Sequence, residues 1–319
     1  MSRTASVPIA PSGGLTPVGF RVDRVKVAPQ ISLEVATGGA TDAPVVAFLH
    51  GGGQTRHAWK SAGAEMAKAG YRVLLFDARG HGGSDWSPHG DYSATALTGD
   101  LVHLMAAERQ PLALVGASMG GMTSFLVAGR HPERVAALVL VDIVPTVNPQ
   151  GAVRIHRFMT EHGCGFASLE EAADAIAAYN PARARSGNLS GLMRYLRRRE
   201  DGRLYWHWDP RLMGTQRVEP PTFVSEARAM GPAITAPTLL IRGMLSDMID
   251  EAGIQDLRTL VPQTEILEVE GAGHMVAGDR NDAFNDGVLR FLRRHFPVTG
   301  GSAGSGPPLA KPIIQGEVA

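Results

Sequence analysis

Hydrophobic residues along the chain form short continuous runs, and helical patterns fill the intervals between them. Apolar residues at helical spacing occur at 56–69, at 93–107 and after Ser118. Continuous apolar strands that alternate with helices are typical of a parallel sheet covered by helices on both faces. The pattern therefore predicts an α/β fold. The runs with the length of a buried strand are residues 44–50, 71–77, 112–116 and 136–142.

The alternation is interrupted between about residue 145 and residue 232. This stretch is polar, rich in arginine and helical in pattern, without a convincing buried strand, and the strand pattern resumes at 236–243. It is too long to be a loop within a compact domain. We therefore predict an inserted helical subdomain at 145–232, between two parts of one core at 20–144 and 233–297.

Both ends of the chain differ in composition from the rest. Residues 1–19 and 298–319 are rich in Gly, Ser and Pro and carry few apolar residues that a core would bury. Segments of this composition bury too little surface to offset the entropy lost on ordering. We expect both to be disordered.

The charge balance argues against several kinds of partner. The 319 residues contain 31 Lys and Arg against 31 Asp and Glu, so no net charge attracts nucleic acid or an anionic membrane. The one cysteine, Cys164, cannot form an internal disulfide, and the first residues lack the apolar run of a signal peptide. No stretch approaches the ~20 apolar residues of a membrane helix. We expect a cytoplasmic protein that acts on a small molecule, and its oligomeric state stays open.

One serine stands between glycines where a predicted strand gives way at once to a predicted helix. The sequence GASMGG, residues 116–121, places Gly116 and Gly120 two positions either side of Ser118. A sharp turn there would lift the serine oxygen above the sheet, beside the N-terminus of the helix, and side chains at those two glycines would clash. The arrangement suits an activated nucleophile, although a glycine-rich turn with a capping serine has the same composition.

Three further segments follow predicted strands and carry groups that such a nucleophile needs. Residues 49–54, LHGGGQ, place glycines where a backbone N–H can approach a developing oxyanion. Asp247 lies in the turn after a later strand, and His274 lies in the loop GAGHM at 271–275. The carboxyl ends of parallel strands share one edge of the sheet, where open α/β sheets form their sites. We expect these groups to meet Ser118 at this edge.

In these motifs and their order the chain resembles the α/β-hydrolase family. The likeness covers nearly all of residues 20–297 and includes the GxSxG motif around Ser118 and the segment FDARGHGGSD at 76–85. It implies an α/β-hydrolase fold with a mostly parallel central sheet, helices on both faces, and a helical cap over the active site formed by residues 145–232. Within the family, the likeness is to capped esterases and lactonases of small molecules.

The resemblance also implies a catalytic triad. Ser118 would be the nucleophile, His274 the general base, and Asp247 the residue that orients the histidine. Asp142 is the alternative acid, because some members of the family take it from the earlier strand. Asp250 is expected to cap the following helix instead.

For the oxyanion hole, the resemblance implies the backbone N–H groups of Gly52 and Met119, with Gly53 as the alternative to Gly52. His50 is expected to brace this loop. The polar side chains within residues 77–81 are expected to act as loop scaffolding.

The predicted cap contributes aromatic and basic residues whose roles the sequence leaves open. Trp206 and Trp208, in LYWHWD at 204–209, either pack the cap onto the core or line an apolar pocket. The arginines of the cap either form a solvated face or attract substrates that bear a carboxylate. No pair of histidines has metal-ligand spacing with nearby acids, and no nucleotide-binding motif is present, so we expect no metal and no cofactor.

These features predict a serine hydrolase that cleaves a small-molecule carboxylic ester, lactone or related carbonyl compound through an acyl-enzyme on Ser118. Carbon–carbon bond hydrolysis, perhydrolysis and lyase chemistry use the same triad and remain alternatives. An alternative of another class is a ligand-sensing receptor with the same fold, which steady turnover of a generic ester would exclude.

Overall fold

The hydrophobic runs of the sequence form the strands of one eight-stranded sheet, and a separate pair of short strands lies in the insertion. The computed structural model describes residues 19–179, 189–214, 220–279 and 281–298. The strands are β1 (Arg21–Ala28), β2 (Ile31–Gly38), β3 (Val45–Leu49), β4 (Arg72–Phe76), β5 (Leu112–Ala117), β6 (Val135–Val141), β7 (Leu196–Arg198), β8 (Leu204–Trp206), β9 (Thr238–Gly243) and β10 (Thr264–Val269). The order across the large sheet is β1-β2-β4-β3-β5-β6-β9-β10.

One edge of this sheet is antiparallel and the remainder is parallel. β1 pairs with β2 as an antiparallel hairpin, and β2 pairs antiparallel with β4. Every later neighbour, from β4 and β3 across to β9 and β10, is parallel. The prediction of a mostly parallel sheet is confirmed, and the carboxyl ends of its parallel strands lie along one edge.

Helices cover both faces of the sheet. Alternate strand residues point to opposite faces, so Val46 and Phe48 of β3 pack with one set of helices, and Val45 and Ala47 pack with the other. The first face carries α1 and α10, and the second carries α2, α3 and α8. The helices of the described residues are α1 (Lys60–Lys68), α2 (Ala94–Ala106), α3 (Met119–Arg130), α4 (Pro149–Thr160), α5 (Leu169–Tyr179), α6 (Arg211–Gly214), α7 (Pro220–Met230), α8 (Glu251–Leu260), α9 (Val276–Asp279) and α10 (Asn281–His295).

Two helix starts are fixed by polar caps. The side chain of Ser93 accepts from the N–H of Ala96 at the start of α2, at 3.2 Å. Asp250 accepts from the N–H of Gly253 at the start of α8, at 2.9 Å, which confirms the capping role expected for it. A side-chain cap satisfies one of the N–H groups that a helix start leaves without an intrahelical partner.

The insertion between β6 and β9 contains more than helices. β7 and β8 form an antiparallel hairpin, and Phe166 adds a bridge to Leu204. The expectation that this stretch has no strand is wrong, because each strand has three residues and lies among charged side chains that hide its pattern. Its last helix, α7, packs Phe223 and Ala227 into the same hydrophobic core as α3.

The predicted disordered ends fall outside the described residues, except at Gly19 and Val298. Within the described part of the chain, no helix has the length and apolar character needed to cross a membrane.

Candidate active site

Ser118 occupies a sharp bend between β5 and α3. Its backbone angles are φ 46° and ψ −116°, a conformation that side chains rarely adopt. A Cβ at Gly116 would lie 2.4 Å from the carbonyl oxygen of Gly120, and a Cβ at Gly120 would lie 2.4 Å from that of Leu49. The crowding that the sequence predicted at these two positions is therefore present, and it keeps the first turn of α3 against the ends of β3 and β5.

Asp142 follows β6 directly and is the carboxylate that holds His274. Its Oδ2 lies 2.7 Å from Nδ1 of His274 and also accepts from the hydroxyl of Ser246. Its Oδ1 accepts from the N–H of Gly243 at 3.0 Å, and its own N–H donates to the carbonyl of Ile241 at 2.8 Å. The side chain is fully buried, so the carboxylate has exchanged water for hydrogen-bond donors from β9, the loop after it and the histidine.

The prediction that Asp247 orients His274 is wrong. The side chain of Asp247 is 39% exposed, and its carboxylate lies 2.6 Å from the guanidinium of Arg154 on α4. The chain turns after β9 so that Ser246, the residue before Asp247, faces the carboxylate of Asp142. Both aspartates follow a predicted strand, so their positions in the sequence do not separate them.

Ser118 and Asp142 share an unusual backbone conformation. Among the described residues, they are the two non-glycine residues with a positive φ, 46° and 49°. Such strain persists only where the surrounding structure enforces it, and it concentrates at functional sites. The bend at each residue turns its side chain to the carboxyl edge of the sheet.

The glycine loop, residues 51–54 after β3, has one backbone N–H that can donate to a substrate. The N–H of Gly51 donates to Oε1 of Gln54 at 3.0 Å, and that of Gly53 donates to Nε2 of His81 at 3.1 Å. The N–H of Gly52 has no protein acceptor within the described part of the chain. This favours Gly52 over Gly53 as the candidate donor of an oxyanion hole. Met119, the first residue of α3 and the candidate second donor, lines the same cavity.

Two buried histidines of the core support this loop, with tautomers fixed by backbone partners. His50 accepts from the N–H of Ala78 at 2.9 Å through Nε2, so its Nδ1–H donates to the carbonyl of Gly51 at 2.8 Å. His81 accepts from the N–H of Gly53 through Nε2, so its Nδ1–H donates to a carbonyl of its own loop. The hydrogen bonds agree with the bracing and scaffolding roles expected for these residues.

A third histidine comes from the cap and was not singled out in the sequence. His207 accepts from the N–H of Gly82 at 2.8 Å through Nδ1, so its Nε2–H faces the carbonyl of Gly53 at 3.3 Å. Its ring centroid lies 5.9 Å from that of His81. The three histidines therefore form a continuous cluster from the core into the cap.

All three rings are held in the neutral form. Burial lowers the pKa of His50, places the pKa of His81 well below its ordinary 6.5, and lowers the pKa of His207 to about 3, because the imidazolium would be separated from water. The neighbouring His50 and His207 lower the pKa of His81 further. Protonation would also remove the nitrogen that accepts from a backbone N–H in each case.

A cavity of about 900 Å³ lies between the Ser118 bend and the cap. Ser118, His274 and Gly52 all line it. Its walls are mainly aliphatic, aromatic and thioether side chains. Six of the 12 methionines of the chain line it: Met119, Met122, Met159, Met213, Met248 and Met275.

Trp206 and Trp208 both pack within the cap and line the cavity. Their rings stack with centroids 4.8 Å apart, and they pack with Phe166 and Leu204 into a small core of the cap. Both also line the cavity. The intervening residue, His207, points the other way and meets the glycine loop.

No Asp, Glu, Lys or Arg is among the described residues that line the cavity. Three described arginines of the cap make other contacts. Arg197 donates to the carbonyl of Gly82, Arg203 donates to that of Gly165, and Arg199 lies over the ring of Tyr205 at 3.9 Å. The arginines thus support the cap and do not form a carboxylate-binding wall in this part of the structure. No cluster of His, Cys, Asp and Glu that would hold a metal occurs among the described residues.

Comparison with known proteins agrees with this arrangement. Residues 44–161 match the family described as alpha/beta hydrolase fold. The chain is 30% identical to an sn-1-specific diacylglycerol lipase of Mus musculus over 82% of this chain and 85% of that protein. It is also 30% identical to an esterase of Mycobacterium tuberculosis over 75% of this chain and 79% of that protein. The chain belongs to the α/β-hydrolase family.

Solved structures support the same assignment for this α/β-hydrolase. A crystal structure of the Mycobacterium tuberculosis esterase superimposes with a TM-score of 0.67 at 28% identity, covering 88% of this chain and 92% of that one. The fold is also shared with E-2-(acetamidomethylene)succinate hydrolase, with a TM-score of 0.75 at 22% identity, covering 86% of this chain and 99% of that one. This α/β-hydrolase is therefore an enzyme of the hydrolase class.

The two aspartates give a matched test of the site. Asp142→Asn is expected to lower kcat by about 10⁴-fold, because an amide in place of the carboxylate no longer holds the tautomer of His274 that activates a serine. Asp247→Asn is expected to change kcat less than about threefold, because it removes only an exposed ion pair. Steady-state hydrolysis of a generic ester measures both, and the opposite ranking would return the acid role to Asp247.

The neutral histidine cluster makes stability dependent on pH. In the unfolded chain a histidine titrates near 6.5, whereas His207 in the folded protein titrates at about 3. Between these values the unfolded state binds the extra proton, so the free energy of unfolding falls as the pH falls below 6.5, by up to about 1.4 kcal/mol per pH unit for one such group. The contribution of neutral His207 to the free energy of unfolding is fully present above pH 6.5.

Urea unfolding of the wild type and of His207→Gln between pH 4 and pH 8 measures this effect. The variant is expected to show a shallower dependence than the wild type below pH 6.5, because glutamine does not titrate. Parallel curves would show that His207 is not held neutral.

Proposed function

We propose that this protein is a serine esterase that forms an acyl-enzyme on Ser118. The observation that carries the proposal is the 2.7 Å hydrogen bond between Asp142 and His274, beside a strained serine that lines the same cavity as the histidine. A serine hydroxyl needs a base and a group that stabilises the oxyanion before it attacks an ester. The described residues supply a candidate for each part.

The histidine is set up for proton transfer. Its Nδ1–H donates to the carboxylate of Asp142, so the neutral ring has its lone pair on Nε2, the nitrogen that accepts a proton in the proposed reaction. In the proposed reaction, His274 removes the hydroxyl proton of Ser118 as the oxygen attacks the ester carbonyl carbon. The proton then passes to the leaving alcohol, and the C–O bond to that alcohol breaks.

Water completes the cycle in the same geometry. His274 takes a proton from a water molecule that attacks the acyl-enzyme, and returns the proton to Ser118 as the carboxylic acid leaves. In both steps the negative charge on the carbonyl oxygen would be met by the N–H groups of Gly52 and Met119. The start of α3 adds the positive end of its dipole at the same point.

The cavity points to uncharged, apolar substrates. A volume of about 900 Å³ accommodates far more than an acetyl group, and the walls are dominated by apolar side chains. A carboxylate on the substrate would lose water there without gaining a cationic partner from the described lining, which is costly. We therefore infer esters or lactones with a medium or long apolar acyl or alcohol group as the substrate class.

The serine is tested by covalent labelling. A fluorophosphonate is expected to attach to Ser118, so one label should appear in the wild type and none in Ser118→Ala, together with loss of ester turnover. Ser93→Ala, which removes the cap of α2, is the control and should be labelled like the wild type. Labelling that persists in Ser118→Ala, or absence of multiple turnover of any ester by the unlabelled wild type, would contradict the proposal.

The substrate class is tested with p-nitrophenyl esters of increasing chain length. From acetate to octanoate kcat/KM is expected to rise by up to about fourfold per methylene, the value of burying one such group. Trp208→Ala, which removes part of the cavity wall, should lower kcat/KM more for octanoate than for acetate.

The matched comparison for charge is the pentanoate ester against the hemisuccinate ester, which is similar in length and carries a carboxylate. We expect kcat/KM for the hemisuccinate to be lower by about tenfold or more, because the carboxylate is not compensated in the cavity. Equal rates, or a preference for the anion, would show that the cap arginines do attract carboxylates.

A further inference from the structure

Each of three successive peptide groups of the glycine loop is contacted by a different histidine. The peptide between Gly51 and Gly52 is fixed through its carbonyl, which accepts from His50 at 2.8 Å. The next peptide is fixed through the N–H of Gly53, which donates to His81 at 3.1 Å. The third is contacted through the carbonyl of Gly53, which faces Nε2–H of His207 at 3.3 Å. Three neutral histidines thus hold three consecutive peptide planes, and the third histidine belongs to the cap.

Hydrogen bonds attach the cap segment that carries His207 to the core. The N–H of Asp209 donates to the carbonyl of Gly80 at 2.9 Å, and the hydroxyl of Tyr92 donates to the carboxylate of Asp209. Arg197, on the neighbouring strand of the cap hairpin, donates to the carbonyl of Gly82, which also gives its N–H to His207. His207 is 2% exposed. The histidine is therefore in a fixed position relative to the glycine loop.

The loop has little stiffness of its own at the point that His207 contacts. Gly53 has φ +73°, and a Cβ there would lie 3.1 Å from the ring of Trp208. Glycine is the residue with the greatest backbone freedom. The turn is closed by the N–H of Gln54, which donates to the carbonyl of Gly51 at 3.1 Å and belongs to the same peptide group as the Gly53 carbonyl. Rotation of that peptide would open the turn and break the bond from Gln54 to the carbonyl of Gly51, which belongs to the same peptide group as the N–H of Gly52.

We propose that His207 is a positioning residue for the oxyanion hole, through which the cap helps to aim the N–H of Gly52 at the developing oxyanion. The inference rests on the proposed function, since it assigns Gly52 as the oxyanion donor. The cap then contributes to the rate of the chemical step as well as to substrate choice. Loss of the Gly53 contact would lower kcat for every ester, short or long, while KM would change little, because the cavity walls at Trp206 and Trp208 stay in place.

Two conservative variants separate the contacts that His207 makes. In His207→Asn the amide oxygen remains near the Nδ1 position and can accept from the N–H of Gly82, but no N–H reaches Gly53. In His207→Gln the amide N–H reaches the position of Nε2 and can donate to the carbonyl of Gly53. Arg203→Met is the control, because it removes hydrogen bonds within the cap, to the carbonyls of Cys164 and Gly165, and leaves His207 and the glycine loop untouched.

The measurements are kcat and KM for acetate and octanoate esters, and the inhibition constant of a trifluoromethyl ketone, whose hemiketal with Ser118 places an oxyanion in the hole. His207→Asn is expected to lose about 10- to 100-fold in kcat, with a matching loss of inhibitor affinity and a nearly unchanged KM. His207→Gln should recover most of both. Arg203→Met should lower the thermal midpoint and leave kcat within about twofold of the wild type.

The outcomes distinguish this inference from the proposed function. If the wild type hydrolyses esters and is labelled at Ser118, yet His207→Asn and His207→Gln have equal kcat, the positioning role is overturned while the esterase stands. A loss confined to octanoate, or a rise in KM without a change in kcat, would likewise overturn it and assign His207 to the substrate pocket. A wild type without ester turnover would contradict the proposed function itself.

Discussion

The close approach of α3 to the backbone of β3 and β5 is the constraint on which the site depends. A Cβ at Gly121 would lie 2.3 Å from the side chain of Ile143, and the glycines before it face carbonyl groups at similar distances. Since only glycine fits at these positions, the helix begins directly at the strand end, and Ser118 is forced into a positive φ. The neighbours of β5 in the sheet are β3 and β6. Their ends bring the glycine loop and Asp142 to the same place.

The parts of the fold that depend on local pattern could be predicted from the sequence. Apolar runs in the sequence indicate the buried strands, and glycines at fixed distances from Ser118 indicate the bend. The choice between Asp142 and Asp247 could not be settled in this way, because both follow strands. It depends on the positive φ of Asp142 and on the turn after β9, which places Ser246 at the carboxylate. Those are properties of the packed structure.

The histidine cluster could not be predicted for a related reason. His207 lies 125 residues from its partner Gly82 and 154 from Gly53, and nothing in its immediate sequence indicates a contact with the glycine loop. The neighbouring Trp206 and Trp208 indicated only that this segment could form the wall of an apolar pocket. Directly after β8 the chain places Trp208 in the cavity wall and His207 against the glycine loop, so one stretch of the cap faces the cavity and this loop at once.

The methionines in the cavity wall have a consequence beyond shape. A thioether is unbranched and adapts to different acyl groups, so six of them around one cavity favour a broad substrate range over a sharp one. The same sulfur atoms are open to oxidation, which converts an apolar side chain into a polar sulfoxide. Met119 lies next to Ser118 in the chain, and Met275 lies next to His274. Oxidation would therefore make the wall of the cavity that Ser118 and His274 line more polar, so that the fit of apolar compounds would depend on the redox state of the surroundings.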